Sequence, residues 1–230
     1  MKRIIFAVLA FAAASPAIAA ERRYSVTDFD RVQVDGPYQV TLVSGGPAGA
    51  VATGTAQALD AVSIEVQGRT LRIRPNRSAW GGYPGERAGS VTIRIVARDL
   101  VSAMVTGSGS LGVDRAKGLR LDLSVAGSGS LSVAAVDADN LTIGLLGSGK
   151  ISLAGRAKQL RATIQGSGDL AAAGLRADDV VLTADTAGAI AVGAVRSAKV
   201  RATGQGEVEI LGSPACTVQG LSGSQVKCGR

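Results

Sequence analysis

The chain has 230 residues, 3% aromatic side chains, no histidine and a formal net charge of +7. The lack of histidine excludes Ser-His-Asp and Cys-His catalysis, and it excludes histidine metal sites. The basic residues are scattered along the sequence, whereas nucleic-acid binding needs a concentrated basic stripe with interleaved aromatic residues. Composition therefore predicts no cofactor, no histidine-based chemistry and no nucleic-acid partner.

The N-terminal segment, residues 1–20, has the pattern of a signal peptide. Lys2-Arg3 precedes an apolar run from Ile4 to Ala14, and Ala17-Ile18-Ala19 supplies the small residues that signal peptidase recognises. The apolar run is shorter than the roughly 20 residues that span a bilayer, and no later stretch is apolar enough to do so. We predict that residues 1–20 are removed on export. The remaining chain, 21–230, would be one domain without a transmembrane segment, located in the periplasm, at the outer surface or in the medium.

The two cysteines, Cys216 and Cys228, lie close together near the C-terminus. In an exported protein such a pair usually forms a disulfide, and the Cys-x-x-Cys spacing of redox-active pairs is absent. We predict a disulfide that closes the last turn of the fold and contributes about 2–3 kcal/mol.

A glycine-rich triplet recurs at a nearly fixed period in the second half of the chain. The first four copies are Gly107-Ser108-Gly109, Gly127-Ser128-Gly129, Gly147-Ser148-Gly149 and Gly166-Ser167-Gly168. The next two units carry Thr186-Ala187-Gly188 and Gly204-Gln205-Gly206, so the spacing persists while the residues change. A fixed period of this length is typical of repeat architectures.

Aliphatic residues alternate with polar ones on both sides of each triplet. Leu119, Leu121, Leu123 and Val125 precede the second copy, and Leu131 and Val133 follow it. Alternation with period two indicates strands that bury one face. The polar connectors between units are too short for a crossover helix.

A unit of this length cannot bury its aliphatic face alone, but stacked units bury it between coils spaced about 4.8 Å apart. The repeat therefore predicts an all-β fold, a right-handed parallel β-helix or solenoid with coils of about 20 residues. The triplets would form its corners, because a tight turn needs positive φ and stacked corners leave no room for large side chains. The serines between the glycines are either structural or form a row that contacts a glycan or an ion.

The N-terminal third is β-rich but less periodic. Val34-Asp35-Gly36-Pro37-Tyr38 echoes the later corners, and Gln67-Gly68-Arg69-Thr70 is a turn signal between two alternating strands. We predict that residues 26–100 form less regular coils that cap the solenoid, that 101–212 form the regular repeats, and that 213–230 form a C-terminal cap with the disulfide.

One conspicuous loop lies between residues 74 and 89. It contains Trp80, the only tryptophan, and Tyr83. Exposed aromatic rings stack on sugars or anchor protein partners, so these two residues are candidate ligand contacts. The alternative is that the loop folds back over the end of the solenoid and its rings cover apolar surface.

The acidic residues offer no obvious catalytic pair. Asp137, Asp139, Asp178 and Asp179 lie in connectors, either as solvated turn residues or as weak calcium ligands, without the nine-residue spacing of calcium-binding repeats. A polysaccharide lyase or glycoside hydrolase needs carboxylates grouped on one face. Asp114, Asp137, Asp169 and Asp185 fall at different offsets within their coils. We therefore predict no catalytic and no metal-binding residue.

Several of these motifs together resemble a known family. Phe29-Asp30-Arg31-Val32 with Val34-Asp35-Gly36-Pro37, then Leu71-Arg72-Ile73 and the Gly-Ser-Gly series, are similar to the putative auto-transporter adhesin (head GIN domain) family, over roughly residues 26–215. The resemblance implies a right-handed parallel β-helix in bacterial envelope or secreted proteins, with a suggested adhesion role and no catalytic residues.

These observations predict a non-enzymatic exported or cell-envelope solenoid for adhesion or surface scaffolding, with envelope polysaccharide or a cell-surface protein as partner. One alternative is a polysaccharide-binding module that uses the loop of Trp80 and Tyr83, and another is a carbohydrate-active enzyme of the β-helix type. The loss of serine from the last two corners argues against a function that needs an unbroken serine row.

Overall fold

A computed structural model describes residues 20–76, 90–220 and 226–229. These residues form sixteen strands and one short helix, α1 (Ala56–Asp60). The strands are β1 (Ala20–Tyr24), β2 (Arg31–Asp35), β3 (Gln39–Ser44), β4 (Gly49–Gly54), β5 (Val62–Gln67), β6 (Thr70–Pro75), β7 (Thr92–Ala97), β8 (Ser102–Gly107), β9 (Ser110–Gly127), β10 (Ser130–Gly147), β11 (Lys150–Gly166), β12 (Asp169–Thr186), β13 (Ile190–Ala202), β14 (Val208–Leu211), β15 (Ala215–Gly220) and β16 (Val226–Cys228). Within these ranges no helix has the length and apolarity needed to cross a bilayer.

The regular part of the chain is a stack of parallel coils. Strands β9 to β12 each follow most of one coil, and each pairs in parallel with the next. Ser110 pairs with Ser130 and Gly127 with Gly147, so equivalent positions of successive repeats lie side by side. The coils become slightly shorter at the end of the stack, where Ile190 pairs with Val208. The predicted β-solenoid is confirmed.

Two sheets meet at the Gly-Ser-Gly corners. The pre-corner sheet contains β5, β6, β2, β8, residues 121–127, 141–147, 160–166, 180–186 and 198–202, and β15. The post-corner sheet contains β1, β4, β7, β3 and then the segments that begin β9 to β13, followed by β14 and β16. Inward side chains stack in ladders, for example Leu111, Leu131, Ile151, Leu170, Ile190 and Val208, all buried. The core is thus an aliphatic column along the stack.

The two glycines of a corner have different roles. Gly127 has φ +119°, a conformation that only glycine adopts without strain. Gly129 is buried instead, and a Cβ placed on it would lie 2.5 Å from the carbonyl oxygen of Gly109 in the preceding coil. The backbones are held this close by hydrogen bonds, since the Ser128 N–H donates to the Gly107 oxygen at 3.0 Å. The first glycine permits the turn, and the second permits the stacking.

The fifth corner keeps its place without the first glycine. Thr186 is 3% exposed, and its hydroxyl donates to the Gly168 carbonyl at 3.2 Å and accepts from the Gly188 N–H at 3.0 Å. No described residue other than glycine has positive φ. A side-chain hydrogen bond therefore stabilises this corner, and Gly188 keeps the close backbone approach.

The sequence predicted the connectors only as polar links between strands. In the structure they pair with the connectors of neighbouring coils and form a third side of each coil. Val136 pairs with Ala116, and the inward residues there are mostly small. Leu119, predicted to face the core, is 77% exposed, whereas Leu121 is 1% exposed. Residues 117–120 all face solvent, so the alternation is interrupted where the chain enters the pre-corner sheet.

The N-terminal end is covered by antiparallel strands and α1. Strands β2 and β3 form a coil parallel to β8 and β9, with Gly36 stacked on Gly107. The chain then passes to the outer side of that coil, where β4 pairs antiparallel with β1 and β7, and β5 with β6. Thr55 caps α1, which buries Ala58 and Leu59 over the end of the column. These strands protect the edge that a stack of parallel coils would expose.

The C-terminal end carries the cysteine pair. Cys216 pairs in register with Ala198, and Cys228 with Ile210, so the two cysteines continue inward ladders of the two sheets. Their Cα atoms are 6.6 Å apart, within the range for a disulfide. Such a bond would join the last strands of both sheets.

Gly129→Ala tests the close approach between corners. We expect it to lower the free energy of unfolding by about 1–3 kcal/mol, because the new methyl group would overlap the Gly109 carbonyl. Gly144→Ala is the matched control, since a Cβ there meets its nearest neighbour, Ser124, at 3.7 Å. Urea denaturation measures both variants, and equal midpoints for the two would contradict this role of Gly129.

Leu121→Ala and Leu119→Ala test the interruption of the alternation. Leu121→Ala should cost about 2–5 kcal/mol because it leaves a cavity in the column, whereas Leu119→Ala should change stability by about 0.5 kcal/mol or less. Thermal unfolding followed by circular dichroism distinguishes them. A large loss from Leu119→Ala would show that this residue faces the core.

Candidate functional site

The connector side of the stack carries ion pairs between successive coils. Arg156 binds Asp137 through two hydrogen bonds of 2.8 and 2.9 Å, and Lys158 lies 2.8 Å from Asp139. Further along the stack, Arg196 pairs with Asp179, which also accepts a hydrogen bond from the Ser197 hydroxyl at 2.7 Å. We call these residues the charged ladder; its members are Asp137, Asp139, Arg156, Lys158, Asp179 and Arg196.

The arginines of the ladder favour the ionised form of Asp137 and of Asp179. The hydrogen bonds from Arg156 lower the pKa of Asp137, and those from Arg196 and Ser197 lower the pKa of Asp179. The pKa of Glu207 is lowered in the same way by Lys227 of the following coil. The cations are exposed and the carboxylates of Asp137 and Asp179 are still partly in contact with solvent, so each pair contributes little to stability. Their main effect is to join neighbouring coils and to neutralise the acids.

Two further acids considered for catalysis, Asp114 and Asp169, accept hydrogen bonds from nearby backbone N–H groups. Asp114 accepts the Ser44 N–H at 2.9 Å and the Arg115 N–H at 2.6 Å, and Asp169 accepts the Ala189 N–H at 2.9 Å. Among the described residues no group of three or more acidic or cysteine side chains could hold a metal ion. These carboxylates therefore act as acceptors within and between coils.

A groove on the outer surface of the pre-corner sheet is lined mainly by polar side chains. It has a volume of about 340 Å³ and crosses four coils. Its rim residues pair in two rows, Asn140, Gln159, Asp179 and Ser197, then Thr142, Arg161, Val181 and Lys199. Its floor is the buried column residues Leu141, Leu160 and Val180. We call it the polar groove.

Two cations in the polar groove lack the partners that the charged ladder has. Neither Arg161 nor Lys199 has an ion-pair partner among the described residues, and both are exposed. The only acid of the rim, Asp179, is paired with Arg196. The groove therefore presents net positive charge among amide and hydroxyl groups.

The structure places the other predicted residues as follows. The first corner glycines, Gly107, Gly127, Gly147 and Gly166, all have positive φ, and the second ones, Gly109, Gly129, Gly149 and Gly168, are buried against the preceding coil. The corner serines are exposed, and in the described chain no hydrogen bond joins the hydroxyl of one to that of another. Trp80 and Tyr83 lie outside the described residues.

Sequence reasoning missed the polar groove. Asn140, Gln159 and Asp179 occupy equivalent outward positions in successive repeats, at nearly the same offset from the corner that precedes each of them. Comparing the outward positions of successive repeats would have placed Arg161 and Lys199 in one row, but it would not have shown that they form no ion pair. Only the structure shows that Asp179 is neutralised by Arg196.

The described residues form a β-solenoid whose N-terminal end is covered by antiparallel strands and a short helix. The family model described as "putative auto-transporter adhesin, head GIN domain" matches residues 28–214, and the chain belongs to this family. The predicted resemblance is thereby confirmed. The family and the fold support adhesion or scaffolding in general.

Solved structures share the fold at low sequence identity. A putative adhesin from Bacteroides fragilis is 19% identical with a TM-score of 0.82, covering 93% of this chain and 97% of that one. A putative lipid binding protein from Parabacteroides distasonis is 20% identical with a TM-score of 0.71, covering 92% and 97%. A putative adhesin from the same species is 23% identical with a TM-score of 0.68, covering 93% and 96%. No curated protein matches the chain in sequence.

The charged ladder predicts the pH dependence of stability. Because the folded-state pKa values of Asp137, Asp179 and Glu207 are lowered, their contribution is present above the ordinary carboxyl pKa and is lost as pH falls through the lowered values. The thermal midpoint should stay level from pH 7 to about 5 and decline below about pH 4.

Arg156→Gln should return the pKa of Asp137 toward its ordinary value, because it removes the hydrogen bonds that lower it. An NMR titration of the carboxyl carbons measures this, with Arg94→Gln on β7 as a control that removes a cation elsewhere. An unchanged Asp137 titration in Arg156→Gln would show that the pair does not form in solution.

Proposed function

We propose that the chain is an exported, non-enzymatic solenoid of the bacterial envelope or surface that acts in adhesion or scaffolding. The observation that carries the proposal is the form of its outer surface. Coils fixed in register by backbone hydrogen bonds at each corner display rows of exposed side chains at constant spacing. Such a surface is suited to binding an extended partner without rearrangement.

The cysteine pair and the N-terminal segment support export. Cys216 and Cys228 lie at disulfide distance, and disulfides persist in oxidising compartments outside the cytoplasm. Residues 1–20 have the composition of a signal peptide. The family is named for adhesins, which act at surfaces.

The disposition of the acids favours binding over hydrolysis or elimination. Glycosidases need one carboxyl group held as an acid near a second carboxylate. In the described part of the chain, Asp137 and Asp179 are instead held ionised by arginines, and Asp114 and Asp169 accept backbone hydrogen bonds. These partners give the acids structural roles, which supports the non-enzymatic proposal.

Expression of the full chain with a C-terminal tag in its native host tests the proposal. We expect a product that lacks residues 1–20 and that fractionates outside the cytoplasm with envelope or surface material. Purified protein added to cells that lack the chain should be retained by their surface. A cytoplasmic product that keeps residues 1–20, or protein that cells do not retain, would contradict it.

Incubation of the purified protein with plant and bacterial polysaccharides tests the absence of catalysis. We expect no increase in reducing ends and no unsaturated product over the blank. Release of reducing or unsaturated sugar would favour the carbohydrate-active enzyme.

A glycan array that compares the wild-type protein with Trp80→Ala determines whether the loop at residues 74–89 contributes to binding.

A further inference from the structure

The polar groove has the chemistry of a binding site for a linear acidic polysaccharide, and we propose that it binds one along the axis of the solenoid. This inference rests on the proposed function, because it names the partner of one outer face. It assigns Arg161 and Lys199 as the contacts to anionic groups, and Asn140, Gln159 and Ser197 as contacts to sugar hydroxyls.

The charge of the groove is the first argument. Each cation of the charged ladder faces a carboxylate, as Arg156 faces Asp137. Arg161 and Lys199 have no ion-pair partner among the described residues, although both lie on the same groove. Two exposed cations that form no ion pair attract an anionic ligand, since the one acid of the rim, Asp179, is paired with Arg196. Arginine binds carboxylate or sulfate groups through two hydrogen bonds.

The spacing of these cations is the second argument. Arg161 pairs with Val181, and Val181 with Lys199, so the two cations are two coils apart on one row. Two coil spacings amount to roughly 10 Å. A pyranose unit in an extended chain has a length comparable to one coil spacing, so acidic groups on alternate sugars would match the two cations.

The groups between the cations are the third argument. The neighbouring row presents amides from Asn140 and Gln159 and the Ser197 hydroxyl, with Thr142 at the far end of the cation row. Asn140 donates one N–H to the Leu119 carbonyl and Ser197 donates its hydroxyl hydrogen to Asp179, so the oxygen of each side chain remains an acceptor for a ligand. Amides and hydroxyls both donate and accept hydrogen bonds, as sugar hydroxyls require. The constant register means that a polymer would meet side chains at equivalent positions on each coil, although the side chains themselves differ from coil to coil.

Other anionic partners match the groove less well. Single-stranded nucleic acids are bound by aromatic side chains on which bases stack, and none lines this groove. Membrane binding needs a continuous apolar surface, whereas the one exposed aliphatic residue of the lining is Val181 at 39% exposure. An acidic glycan is therefore the partner that the groove favours.

Binding of the purified protein to defined polymers tests this proposal by isothermal titration calorimetry. The probes are polygalacturonate, which is carboxylated, dextran sulfate, which is sulfated, and neutral dextran. We expect binding to at least one acidic polymer, which weakens as salt is added, and none to neutral dextran. The two acidic arms distinguish a carboxylated from a sulfated ligand.

The double substitution Arg161→Gln with Lys199→Gln should weaken that binding by about tenfold or more, because it removes the charge-assisted contacts. Arg94→Gln with Arg176→Gln is the matched control: it removes the same charge from two exposed cations outside the groove and should have a much smaller effect. Thermal unfolding shows that both variants fold.

Equal weakening by the two double variants would mean non-specific polyanion binding and would overturn the proposal. So would binding to neutral dextran as strong as to the acidic polymers, or no binding to either acidic polymer. If phosphatidylglycerol vesicles or single-stranded DNA bound more strongly than the acidic polymers, and through the same two residues, the partner would be a membrane or a nucleic acid and not a glycan. None of these results would contradict adhesion in general, which retention by cells tests separately.

Discussion

The contact on which the rest of the structure depends is the stacking of backbone on backbone at the glycine corners. Each second glycine, such as Gly129, lies against the carbonyl of its equivalent in the preceding coil, where no side chain has room. Backbone hydrogen bonds across the corner hold this approach, so the position of one coil determines that of the next. The aliphatic ladders follow from it, because side chains at equal offsets are placed above one another and exclude water from the column.

Because the coils are stacked in register, outward residues at equivalent positions of successive repeats form rows on the surface. On the connector side, acids such as Asp137 are paired with arginines one coil away. On the pre-corner sheet the cations Arg161 and Lys199 have no such partner in the described chain. Charged side chains on the connector side therefore join neighbouring coils, whereas the two cations on the pre-corner sheet remain available to bind a ligand.

The corners also show how much variation the geometry accepts. Thr186 replaces the first glycine, and its buried hydroxyl makes the hydrogen bonds that stabilise the turn. The coils shorten slightly toward the C-terminus, where Ile190 pairs with Val208, while the pairing stays parallel. A function that used the exposed serines would be interrupted there, whereas one that uses the outer sheet rows, where register is kept, would not.

The repeat, its corners, the strands and the family could all be predicted from the sequence, because a fixed period and the alternation of aliphatic residues are local patterns. The remaining features depend on how the coils stack. Leu119 is exposed because the alternation stops at residues 117–120, and the connectors are a paired third side. The polar groove depends on ion pairs between residues such as Asp179 and Arg196, which are distant in sequence and meet only when coils stack. Which charges remain unpaired is a property of the assembled surface, and no local pattern contains it.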